Sequence, residues 1–119
     1  MKFLVGLFAL FISPAATQVV YADTASFVIL DVRTQEEFSE KHVAGAVNID
    51  VLKADFKEKV AKLDRNKTYK LYCRSGNRSG KALLLMKEMG FKDLENLGSL
   101  QQAAKTLNKG YEEKVRHDN

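Results

Sequence analysis

The sequence is short of the residues that cross-link or coordinate. It has one cysteine, one proline, no tryptophan and two histidines. The lone Cys73 cannot close an internal disulfide, and without a second thiol it has no resolving partner for thiol–disulfide exchange. One cysteine with His42 and His117 far apart gives no metal-ligand spacing, so neither a metal nor another cofactor is expected. Long apolar runs are also missing. The longest, Phe3 to Ile12, is about half of the ~20 residues that span a membrane. No repeat or low-complexity tract is present. With 119 residues, 45% hydrophobic and 29% charged, the chain has the length and composition of one globular domain.

The first stretch, "MKFLVGLFALFISPAATQVVYADT", has a basic Lys2, an apolar run, a break at Ser13-Pro14 and the small-residue pattern Val20-Tyr21-Ala22. This is the layout of a secretory signal, with residues 1–22 removed by cleavage after Ala22; the alternative is an uncleaved anchor. No cysteine near the cleavage site speaks for a lipoprotein. The expected mature protein is periplasmic or secreted, with no membrane association once the signal is gone. An unpaired cysteine in such a compartment points to a reactive thiol or an intermolecular link.

Residues 23–110 read as one domain of alternating strands and helices. Phe27 to Leu30 is a continuous apolar run that suits a doubly buried strand. Thr34 with Glu37 three residues on is a capping-box pattern, predicting a helix from about Gln35 to Lys41. Gly45 marks a turn, and Ala46 to Ile49 a second short strand. Leu52, Phe56, Val60 and Leu63 share one helical face, with Asp55–Lys59 and Glu58–Lys62 as i,i+4 pairs. A strand follows at Thr68 to Cys73, with Tyr69, Leu71 and Cys73 on one side. Ala82, Leu85, Met86 and Met89 line a further helix, widened by Leu83 and Leu84 and ended by Gly90. A last strand lies within Phe91 to Leu97, and a last helix runs from Ser99 to about Asn108. Residues 111–119, "YEEKVRHDN", show no periodicity and are expected to form a disordered tail. Alternation of this kind implies a layered α/β domain with a mostly parallel sheet. Ligands of such sheets sit beyond the C-terminal strand ends, where Asp31 and Cys73 fall.

The chemistry concentrates in "KLYCRSGNRSGKALLLMKEMG". Cys73 ends a strand and a helix begins at about Asn77 to Ser79. Gly76 is free to take positive φ, so the loop can turn its N–H groups inward as an anion nest, and the helix N-terminus adds its positive dipole end. A thiol held there is stabilised as thiolate. From Arg65 to Lys87 the chain has seven bases, Arg65, Lys67, Lys70, Arg74, Arg78, Lys81 and Lys87, and no acid, although the whole chain carries only +4. The expectation is positive charge gathered around the thiol and a small anionic substrate. Nucleic acid is not expected, because only Tyr69 and Tyr72 interleave with these bases. The plain alternative is a cysteine packed as a small hydrophobe at a strand end.

The chain resembles a single-domain rhodanese, a sulfurtransferase, and is most similar to the small exported phage-shock type. The likeness rests on "LDVRTQEEFSEKHVAGAVNI", "YCRSGNRSGKALLLMKEMGF" and "LENLGSL", which together span most of residues 27–105. It implies an α/β fold around a central parallel sheet flanked by helices. It implies that Cys73 is the nucleophile, carrying sulfur as a persulfide from a donor such as thiosulfate to cyanide or a thiol. It also implies that the amides of Arg74, Ser75, Gly76, Asn77, Arg78 and Ser79 cradle that persulfide. The family usually has another strand and helix before Asp-Val-Arg, so the sheet here is expected to be trimmed at its N-terminal edge. The family commonly has paired glycines and then tryptophan after the last strand; this chain has Gly98-Ser99.

Arg74 beside the nucleophile is read as an anion contact, and Arg78 as either an anion contact or a brace for the loop. Asp31 and Arg33 are read as ion-pair partners supporting the loop, and His42 as a structural hydrogen bonder. Three function classes stand at this point: a sulfurtransferase, a cysteine-dependent phosphatase or arsenate reductase, and a sulfur-carrier module that does not turn over freely. Cysteine phosphatases resemble this loop but have one more residue than the four between Cys73 and Arg78.

Overall fold

The computed structural model describes residues 26–114. The proposed signal, residues 1–22, lies outside them. Strand β1 is Val28–Asp31. Helix α1, Gln35–Glu40, starts from the capping box, with Thr34 and Glu37 each serving the other's backbone. Three short elements follow: β2, Lys41–Val43; β3, Val47–Asn48; and α2, Phe56–Ala61. Next come β4, Thr68–Cys73, and α3, Asn77–Glu88. The chain then forms β5, Asp93–Ser99; α4, Leu100–Leu107; and β6, Tyr111–Glu113.

The main sheet has the order β3-β1-β4-β5, and every pair in it is parallel. The edge beside β1 is closed by the two-residue β3 alone. Side chains alternate across the sheet with the strand period of two. Leu30, Tyr69, Leu71 and Cys73 face one core with Phe56, Val60, Ala82 and Met86, which places α2 and α3 on that side. Ile29 and Tyr72 face the other core with Leu100, Ala103 and Ala104 of α4. Helices thus cover both faces, the arrangement that a continuous apolar β1 predicts.

Three expectations need correction. Tyr111–Glu113, expected to lie in a disordered tail, instead pair antiparallel with Lys41–Val43. The helix expected from Leu52 is shorter: Asp50 accepts from the Leu52 amide at 2.9 Å, turns hold the chain to Asp55, and Leu52 is 65% exposed. Leu84 is 61% exposed and widens no core. Of the two i,i+4 pairs, Asp55–Lys59 closes to 3.5 Å.

Candidate active site

The site forms where β4 runs into α3. Cys73 is the last residue of β4 and is fully buried. Gly76 caps α3 with φ +99°, in the left-handed region that the loop needs. That turn brings donors back onto the sulfur. The Gly76 amide donates to Cys73 Sγ at 2.9 Å, and the Ser79 amide and Ser79 Oγ each stand at 3.4 Å. Burial acts to raise the thiol pKa. The Ser79 hydroxyl and the amides of Ser79, Ser75 and Gly76 outweigh it, and the net shift is downward from the ordinary value.

The loop is braced from two sides. Arg78 forks onto Glu37, Nη1 to Oε1 at 2.9 Å and Nη2 to Oε2 at 3.1 Å. Hydrogen bonding to Arg78 holds the Glu37 carboxyl down at about 2. Glu37 accepts from the Thr34 amide as well, so the capping box of α1 also aims the clamp on the loop. On the other side stands Asn96. Its Oδ1 accepts from Ser79 Oγ at 2.7 Å and from the Gly98 amide at 3.0 Å, and its Nδ2 donates to the Gly76 carbonyl at 3.1 Å. A bulge in β5 makes this possible: Leu71 pairs with Asn96 but Tyr72 pairs with Gly98. Gly98 sits at φ +92° and touches the loop, since a Cβ on Gly76 would meet Gly98 Cα at 3.3 Å.

Asp31 and Arg33 are both buried, and among the described residues neither hydrogen-bonds to residues 74–79. Arg33 Nε and Nη2 grip the Asp31 carboxylate, with the shortest contact at 2.7 Å, and Nη2 also donates to the Lys41 carbonyl at 2.7 Å. The Tyr72 hydroxyl donates to Asp31 Oδ2 at 2.7 Å and accepts from the Val43 amide at 3.0 Å. Burial pushes that hydroxyl well above its ordinary pKa, so it stays protonated. His42 stacks on Phe38, lies 2.9 Å from the Phe38 carbonyl through Nδ1, and lies 2.8 Å from Glu112 through Nε2. It therefore ties β2 to β6.

The run of seven bases does not gather around the thiol. A strand and a 12-residue helix carry the chain to the far end of the β4–α3 unit and back, about 18 Å along the helix axis. Arg65 sits at that far end, donating to the Met89 carbonyl at 2.6 Å. Lys70 pairs with Glu95 at 3.6 Å along the strand. Arg78 is neutralised by Glu37. Arg74 forms no ion pair among the described residues, and it lines a cavity beside the loop. A window in sequence is not a patch in space when it contains a strand and a helix.

Sequence reasoning missed two residues. Glu37 was visible as a cap, and its second role needed the loop's position. Asn96 lies inside "LENLGSL", but strand parity does not reveal its contacts because the bulge shifts them.

The family model for the rhodanese-like domain matches residues 18–117. The chain is 40% identical over 83 residues to the thiosulfate sulfurtransferase PspE of Escherichia coli (strain K12), covering 68% of this chain and 78% of that one. It is 35% identical over 89 residues to the putative sulfurtransferase YtwF of Bacillus subtilis (strain 168), covering 75% and 84%. Among solved structures, a rhodanese with anions from E. coli superposes with TM-score 0.63 at 33% identity, over 74% of this chain and 99% of that one.

Proposed function

The chain belongs to the rhodanese-like domain family of sulfurtransferases, and from that premise we propose that Cys73 carries sulfur as a persulfide between a small anionic donor and a thiophilic acceptor. The observation that carries this reading is the set of donors on Cys73 Sγ: two amides and one hydroxyl, led by the Gly76 amide at 2.9 Å. They favour a thiolate at rest and suit an anionic outer sulfur after loading.

With thiosulfate as donor, the Cys73 thiolate attacks the outer sulfur. An S–S bond forms to Sγ, the donor's own S–S bond breaks, and sulfite leaves with the electron pair. Arg74, unpaired at the rim, binds the donor's oxygens. Cys73 has no exposed surface, so the loop must open for the sulfur to be reached. The acceptor, cyanide or a thiol, then takes the outer sulfur and returns the pair to Sγ.

Phosphoryl chemistry is the weaker reading. Its loops need a free arginine for the oxyanion, and here Arg78 is held by Glu37 in a bidentate pair. The four-residue spacer to Arg78 also makes a narrower ring than a tetrahedral oxyanion requires. We propose that the protein is exported, with cleavage after Ala22. Among the described residues no helix is long and apolar enough to cross a membrane.

Intact mass after thiosulfate, and again after cyanide, tests the reading. The expected record is a gain of one sulfur that cyanide removes, absent in Cys73→Ser. A wild-type protein that gains nothing, or that hydrolyses aryl phosphates through Cys73, overturns it. A gain that cyanide leaves in place selects a sulfur carrier.

A further inference from the structure

With Cys73 fully buried, some contact around the loop must give way before a reagent reaches the sulfur. Two braces hold the loop, and they are anchored differently. Asn96 belongs to β5, which pairs with β4 up to Cys73 itself, so this brace moves with the sulfur. It makes three hydrogen bonds, to the Ser79 hydroxyl, the Gly98 amide and the Gly76 carbonyl. Backbone is already in close approach there, since a Cβ on Gly76 would meet Gly98 Cα at 3.3 Å. The other brace belongs to α1, a six-residue helix with no buried residue. It grips the loop through Glu37 and Arg78, whose side chains are 27% and 21% exposed. An element with few buried contacts opens at low cost, and water readily replaces a partly exposed ion pair.

Empty space lies on the same side. A cavity of about 280 Å³ opens beside the loop, with Glu37, Arg74 and Leu100 among its walls. It reaches Arg74 but is not lined by Cys73, so the last step to the sulfur is closed. Building on Cys73 as the reacting sulfur, we propose that Glu37 is a positioning residue that latches the loop. When Glu37 and Arg78 part, the cavity extends to Cys73, and the Asn96 side stays bonded as the hinge.

A brace and a latch predict opposite signs. Losing a brace scatters the donors on Sγ and slows reaction at the sulfur. Losing a latch uncovers Sγ and speeds any reagent that has to reach it. Glu37→Gln isolates this step. Glutamine at the third position of a helix still completes a capping box, so α1 keeps its start while the charged fork to Arg78 is lost.

Two measurements on the full mature protein test the latch. The first is alkylation of Cys73 by iodoacetamide, a neutral reagent, followed by intact mass up to the pH plateau where the thiol is fully ionised in each variant. Glu37→Gln and Arg78→Gln should each raise the plateau rate about tenfold, the weight of one charged fork on the opening equilibrium. The two changes shift the charge beside the sulfur in opposite directions, so a purely electrostatic effect on the thiolate would drive their rates apart. If Arg78→Gln does not fold, Arg78→Lys replaces it, with the charge kept, the fork lost and a rise still expected. Asn96→Ala should raise the plateau rate less than Glu37→Gln. The second measurement is amide exchange. In Glu37→Gln the Gly76 and Ser79 amides should exchange about tenfold faster, and those of Ala82 and Met86 should not change. Unchanged plateau rates, rates that move in opposite directions, a larger rise in Asn96→Ala, or equal acceleration at Ala82 and Met86 overturns the latch. Both measurements read arrival at the thiolate rather than sulfur transfer, so failure to form a persulfide is read separately, in the mass after thiosulfate.

Discussion

The two ends of α3 are built alike and do opposite things. Each turns on a left-handed glycine, Gly76 at φ +99° before the first residue and Gly90 at φ +98° after the last. At the Gly90 end the Phe91 amide reaches the Met86 carbonyl and the Gly90 amide reaches the Lys87 carbonyl, the pattern of a Schellman cap. Arg65 then donates to the Met89 carbonyl at 2.6 Å and to the Ala61 carbonyl at 3.3 Å. At that end the last carbonyls are satisfied by the two turn amides and, at Met89, by a cation. The Gly76 end is a set of amides satisfied by a sulfur. The same backbone device ties off carbonyls at one end and holds the Cys73 sulfur at the other, because the helix exposes donors at its start and acceptors at its finish. What a mutation does should therefore depend on which end it strikes.

The largest contrast should come from alanine at each glycine. Both substitutions force a side chain into the left-handed region, at about 1–2 kcal/mol each. They differ in what the new Cβ meets. At Gly90 it meets Arg65 Cδ at 3.5 Å, the flexible part of a side chain that can move. At Gly76 it meets Gly98 Cα at 3.3 Å, which is backbone pinned by the bulge. Gly90→Ala should lower the thermal midpoint and keep kcat/KM for thiosulfate within about twofold. Gly76→Ala should cost at least about tenfold in kcat/KM, because the amide that donates at 2.9 Å is displaced. Denaturation curves and steady-state rates on both variants check this, and equal losses of activity would remove the distinction between the ends.

Much of this comparison could be read from the residues alone. Gly90 after an apolar helix face and Gly76 inside a Cys-to-Ser loop both carry local signals, and so do the Thr34–Glu37 box and the parity of Tyr69, Leu71 and Cys73. What escaped depends on distance in space. The seven bases share one acid-free window of sequence, yet Arg65 and Arg74 stand at opposite ends of one helix. The Glu37–Arg78 clamp joins residues 41 apart. Asn96 reaches the loop through a bulge that no strand pattern announces. The β2–β6 pairing hides in a segment whose side chains are all exposed, where periodicity has nothing to report.

A middle-sized effect should separate the ends by pH. The Glu37 carboxyl is depressed from 4.5 to about 2, chiefly by Arg78. A depressed carboxylate adds stability above its unfolded pKa and loses it as pH falls through the folded one. The clamp on the loop should therefore weaken between about pH 4.5 and 2. Glu37→Gln should cost on the order of 1–2 kcal/mol near neutrality, allowing for the partial exposure of the pair. It should also flatten that acid limb in urea unfolding measured against pH. An unchanged limb in Glu37→Gln would assign the acid sensitivity elsewhere.

The smallest effect is the sharpest test of how the amide end treats its sulfur. Ser79 Oγ lies 2.7 Å from Asn96 Oδ1 and 3.4 Å from Cys73 Sγ, and it has one proton to give. The orientation of the Asn96 amide is fixed, because Oδ1 also accepts from the Gly98 amide and Nδ2 donates to the Gly76 carbonyl. The shorter contact takes the larger share of that proton at rest, and the thiolate leans mainly on the Gly76 amide. Two variants should move iodoacetamide alkylation of Cys73 in opposite directions. Ser79→Ala removes a donor that only partly serves the sulfur, so the apparent pKa of the thiol rises. The change in rate near the midpoint should stay under about tenfold, or ~1.4 kcal/mol. Asn96→Ala removes the competitor, freeing the hydroxyl to turn toward the sulfur, so the apparent pKa falls. If both variants raise it, the hydroxyl already belongs to the sulfur, and Asn96 acts by holding the loop in place through Gly76 rather than by holding back a proton.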